Sequence, residues 1–77
     1  MATVRVVVSV IAKDEGEEVN WGIVNSGLRN AGLDIRRTVE ADNKLVGIID
    51  DAQIDQAEAV PYVEGIEIDR VLSDYEL

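Results

Sequence analysis

Ten residues near the start of the chain constrain its fold more than any other stretch. Over 3–12, Val4, Val6, Val8 and Val10 fall on one side of an extended backbone, and Arg5, Val7, Ser9 and Ile11 on the other. Successive side chains of a strand point to opposite faces, and β-branched residues suit that pleated geometry, so the period of two predicts a β-strand. A face of four valines must be covered, which requires neighbouring strands and a layer packed on one side. The run carries one Arg and superficially resembles a signal peptide. It is β-branched, however, and passes into Lys13-Asp14-Glu15 with no small-residue cleavage pattern. Its longest apolar stretch, 6–12, is broken by Ser9 and is too short to span a bilayer.

The rest of the sequence supplies that layer. From 17 to 31, Val19, Ile23, Val24, Leu28 and Ala31 recur at threes and fours, with acids in front and Gly32 as a C-terminal stop, predicting a helix. Gly22 and Gly27 within it suggest close packing against the sheet. Two further strands are expected over 35–41 and 44–49, joined tightly through Asp42-Asn43, since both residue types tolerate left-handed backbone angles. Asp50 or Asp51 can cap a second helix, with Gln53 at capping-box distance from Asp50. That helix turns Ile54, Ala57 and Val60 inward and stops before Pro61, which disfavours helical geometry at its predecessor. A last strand is expected over 66–72, with Ile66, Ile68, Arg70 and Leu72 on one face and Glu67, Asp69 and Val71 on the other.

The order β-α-β-β-α-β with right-handed crossovers predicts an α+β, ferredoxin-like domain: a four-stranded antiparallel sheet in spatial order 4-1-3-2, with both helices on one face. At 77 residues the chain makes one such domain over 1–77. It hides only roughly 60% of the surface its unfolded chain exposes. Two helices cover one side of four strands, so the other side must meet water or a partner. Val7 and Ile11, one face of 45–49 (Leu45, Gly47 and Ile49, or Val46 and Ile48) and Val71 are the apolar groups available to it.

Composition narrows what that face can do. With no Cys there are no disulfides or thiolate chemistry, and with no His the commonest metal ligand and neutral-pH base are missing. Seven basic against sixteen acidic residues give a net charge of −9, which repels phosphate backbones and anionic membranes. Neither nucleic acid nor membrane is therefore an expected partner. The carboxylate pairs Glu17-Glu18 and Asp50-Asp51 read as solvated helix starts. Asp42, Asp50, Asp51 and Asp55 lack any EF-hand spacing, so neither metal nor cofactor is expected. No pattern sets up an activated Ser or Lys. Trp21 and the two tyrosines read as core or rim residues rather than a base-stacking set. The chain reads as a binder, not an enzyme.

One segment is more specific. In Pro61-Tyr62-Val63-Glu64-Gly65-Ile66-Glu67-Ile68-Asp69 a helix ends at proline, a short turn follows, and a hydrophobic residue leads into Glu-x-Asp. This resembles the propeptide and inhibitor domains of subtilisin-like serine proteases, whose second helix is typically followed by Pro-x-Val-x-x-Val-Glu-x-Asp, with Ile66 replacing the second Val. Gly47-Ile48 loosely matches a Gly and large apolar residue on the family's third strand. The resemblance implies a domain that inhibits a subtilisin-like serine protease or chaperones its folding. Its open sheet face would pack over two parallel helices of the protease, with Glu67 and Asp69 at their N-termini. It also implies a C-terminal tail lying in the active-site cleft like a product, with Leu77 in the specificity pocket and Tyr75 and Glu76 leading into it. Asp74 departs from the small or apolar residue that many such proteases prefer at that point. On this reading the chain is a monomer when alone. It would be cytoplasmic if it stands by itself, or extracellular if cut from a precursor.

A second reading is a self-associating, ACT-like module in which apolar strand faces or edges meet their own copies and a small metabolite binds at the seam. It expects a stable homodimer.

Overall fold

A computed structural model of the chain describes residues 2–12 and 16–72. The valine-rich run becomes β1 (Thr3–Val10), hydrogen-bonded on both sides within the sheet. Helix α1 (Trp21–Asn30), the strands β2 (Asp34–Val39) and β3 (Lys44–Asp50), a short helix α2 (Ile54–Glu58) and β4 (Val63–Val71) follow. The four strands form one antiparallel sheet in the order β2-β3-β1-β4, the order expected from the sequence.

Val4, Val6, Val8 and Val10 are buried, and with Leu45 and Ile49 of β3 they form the inner floor of the sheet. Val24 and Leu28 of α1 and Ala57 and Val60 at α2 close over them. Fully burying each such Val, Leu or Ile side chain contributes about 1.5–3 kcal/mol, and this single cluster is the core of the domain. Both helices thus lie on one face.

The helices differ from expectation at their ends. Helix α1 begins at Trp21, not in the acidic run at 17, because the Asn20 side chain accepts the Ile23 N–H at 3.2 Å and caps the first turn. At its other end Gly32 has φ +100°, Gly32 N–H reaches the Arg29 carbonyl at 3.0 Å, and Leu33 N–H reaches that of Leu28 at 2.9 Å. These bonds complete a Schellman termination. Gly27 serves contact with the bend that follows α2 rather than with the sheet, since a Cβ there would stand 2.6 Å from Val60 Cγ1.

Residues 40–42 form a 3-10 turn rather than continuing β2, and Asn43, at φ 55°, returns the chain into β3. Asp50 accepts the Ala52 N–H at 3.0 Å and starts a 3-10 turn at Asp51–Gln53 that leads into α2. Helix α2 is only five residues long and ends ahead of Pro61, as the sequence implies. Tyr62 then takes φ 73°, and its carbonyl accepts the Ile11 N–H at 2.8 Å, pinning the turn beside β1 before β4 begins at Val63.

Candidate functional site

The outer face of the sheet can be built up from the register. Val7 lies opposite Val46, Arg5 opposite Ile48, and Ser9 opposite Lys44, so these side chains share the side away from the buried valines. This settles the alternative left open for β3: Leu45, Gly47 and Ile49 point inward, while Val46 and Ile48 point outward. On β2, Arg37 stands opposite Val46 and Asp34 opposite Ile48, on the same outer side. Among the described residues no helix covers this face. Val7, Val46 and Ile48 make a half-buried apolar strip along its centre.

Strand β4 borders the strip and does not run straight. Glu67 pairs with Val7 and Ile68 with Val6, but Arg70, not Asp69, pairs with Arg5. Asp69 is therefore an extra residue in the strand, a β-bulge that resets the alternation. The bulge corrects the expectation for Val71, which lies opposite the inward-facing Val4 rather than on the open face. Helix α2 is too short to reach that end of β4, so Ile68 and Val71 remain 53% and 65% exposed on the helix side.

Both acids singled out from the sequence are exposed on the outer side, but their surroundings differ. Glu67 has no side-chain hydrogen bond or ion pair among the described residues. Asp69 is held by Arg5, whose Nε donates to Oδ2 at 2.7 Å and whose Nη2 donates to the same oxygen. The pair is solvent-accessible, with side chains 45% and 38% exposed. Arg5 lies directly opposite Arg70 on β4 in the register. Arg5 was not singled out in the sequence reading. The available signal was its place on the odd-numbered side of β1, opposite the valines. Tyr75, Glu76 and Leu77 lie outside the described residues.

Charge is distributed unevenly. Arg5, Arg37, Lys44 and Arg70 stand on the outer face by register, against Asp34, Asp50 and Glu67, while Asp69, bonded to Arg5, and Arg36, bonded to Asp34 at 3.0 Å, add one charge of each sign. The face is close to neutral in a chain of net charge −9.

Elsewhere, a shallow cleft of about 490 Å³ sets Glu17, Glu18 and Glu40 near Trp21 and Val19. Tyr62 donates its hydroxyl hydrogen bond to Glu17 at 2.7 Å across the entrance to α1. Trp21 is thus a rim residue, packed on the core from the side. Among the described residues no cluster of acids is arranged to hold a metal ion, and no helix is long and apolar enough to cross a membrane.

No family model matches the chain, and no curated protein or solved structure shows a significant similarity to it.

Proposed function

We propose that the chain docks by its outer sheet face onto a subtilisin-like serine protease, inhibiting it or assisting its folding. The observation that carries this reading is an uncovered, charge-balanced sheet face with an apolar strip bordered by Glu67 and Asp69. It is joined by the resemblance of the segment from Pro61 to Asp69. A near-neutral face is the part of a strongly acidic protein that can be covered at least electrostatic cost.

The geometry suits two parallel helices. Residues two apart on a strand are separated by about 7 Å, and helices pack with their axes about 8–10 Å apart. Modest splay of two carboxylates would let each reach a different helix. Each N-terminus there offers unpaired N–H groups and the positive end of a dipole. The apolar strip would fill the groove between the helices, and the C-terminal residues would enter the cleft as a bound product does, with extended-chain hydrogen bonds.

The test is inhibition of purified subtilisins in a peptide-hydrolysis assay. Inhibition is expected at micromolar concentration or below, and its absence across several subtilases would refute the proposal. Removing 73–77 should abolish inhibition while leaving binding measurable. Glu67→Gln combined with Asp69→Asn should weaken binding by about 1–3 kcal/mol. The exposed Ile68 and Val71 on the outer strand favour the second, self-associating reading, and light scattering distinguishes the two: a stable homodimer supports that reading, a monomer the first.

A further inference from the structure

We infer that Arg5 restrains Asp69 and so makes the two acids unequal anchors, with Glu67 the principal one. The inference rests on the docking reading and names how that same face is tuned. A carboxylate gains from a helix N-terminus through its net negative charge and its free lone pairs. Asp69 brings less of both, because a guanidinium lies on its Oδ2 through two nitrogens and carries a compensating positive charge toward the same positive dipole end. Glu67, opposite Val7, brings a full charge with no side-chain partner among the described residues.

The bulge explains why the asymmetry arises. A regular strand would set residue 69, not 70, across from Arg5. The extra residue sets Arg70 there and leaves Asp69 beside it on the outer side, with its carboxylate on the Arg5 guanidinium. Asp69 is thus committed within the chain before a partner arrives. Full engagement with a helix requires Arg5 to swing aside. That movement is accessible because a solvent-exposed ion pair holds its two side chains only weakly. Arg5 is accordingly a positioning residue that sets affinity without being an anchor itself.

The experiment is a binding cycle with an active-site-blocked subtilisin, using the full chain and the variants Glu67→Gln, Asp69→Asn, Arg5→Met and Arg5→Met/Asp69→Asn. Circular dichroism would confirm that each is folded, with Arg5→Gln as a polar alternative to the methionine variant. Glu67→Gln is expected to weaken binding about tenfold, the scale of a lost charge-assisted cap. Asp69→Asn should weaken it less than about threefold, because its charge is already compensated. Arg5→Met should tighten binding by about two- to fivefold, the worth of one freed charge at a helix end. In that background Asp69→Asn should then cost about as much as Glu67→Gln does in the parent. Equal losses from Glu67→Gln and Asp69→Asn in the parent chain, or weaker binding by both Arg5 variants, would overturn the inference and leave the docking reading intact. A parent chain that does not bind at all would overturn both.

Discussion

At the scale of single residues, the clearest constraint is steric. Gly47 lies on the inner side of β3 opposite Ile35, where the chain enters β2. A Cβ there would meet the Asp34 carbonyl at 2.8 Å and the Leu33 side chain at 2.9 Å. Backbone cannot yield as a flexible side-chain end can, so Gly47→Ala should push β2 off β3 and destabilise the fold by about 1–3 kcal/mol, the usual cost of overpacking. Gly65 provides the control. It faces outward opposite Ser9, has nothing within 4 Å of its would-be Cβ, and does not need a left-handed backbone. Gly65→Ala should be neutral or stabilising by up to about 1 kcal/mol, through a less flexible unfolded chain. Urea unfolding followed by circular dichroism reads both; equal effects would show that Gly47 is not sterically required.

At the scale of elements, strands were more legible than helix ends. The four-valine alternation places β1 without ambiguity, and the turn residues Asp42 and Asn43 lie near the connection that the structure makes. The start of α1 was hidden because Glu17 and Glu18 look like a first helical turn, whereas the deciding group, Asn20, acts through one side-chain hydrogen bond that periodicity does not register. Asn20→Ala should therefore cost about 1 kcal/mol, and Asn20→Asp should retain most of the cap, since both side chains offer an acceptor oxygen. Matching stabilities for the alanine variant and the parent chain would mean that α1 is held by packing alone. The bulge at Asp69 was illegible for a different reason. An extra residue in a strand leaves no mark in an alternating pattern, so Val71 was placed on the wrong side and the link from Asp69 to Arg5 went unseen. Of the candidate site, the uncovered face followed from counting layers, and its two acids from the resemblance carried by the segment from Pro61 to Asp69. The basic residues that balance them did not, because they come from four strands whose register only the fold defines.

At the scale of the whole molecule, the decisive quantity is the contrast between a near-neutral sheet face and a net charge of −9. Acids such as Glu17, Glu18 and Glu40 gather at one end, and Asp51, Asp55 and Glu58 follow one another around α2, so folding concentrates like charge on a small body. Self-repulsion of this kind opposes the compact state and is screened over about 10 Å at 0.1 M salt. Among the described residues the ion pairs Arg5–Asp69 and Arg36–Asp34 are exposed, and an exposed pair loses at most about 1 kcal/mol to screening. Sixteen acids against seven basic residues leave most carboxylates with no opposite charge to pair with, so repulsion outweighs the weak attraction of exposed pairs and the sign is fixed: added sodium chloride should stabilise the fold. The melting midpoint should rise steadily between about 0.01 and 0.5 M salt, where the Debye length falls from about 30 Å toward the width of a single contact. Sodium sulfate would strengthen apolar burial as well, so the chloride series is the one that isolates screening. A midpoint that is flat or falls with chloride would show that paired charges, not the acidic surplus, dominate the electrostatics of this molecule. The outer face would then lose its distinction as the region least costly to cover.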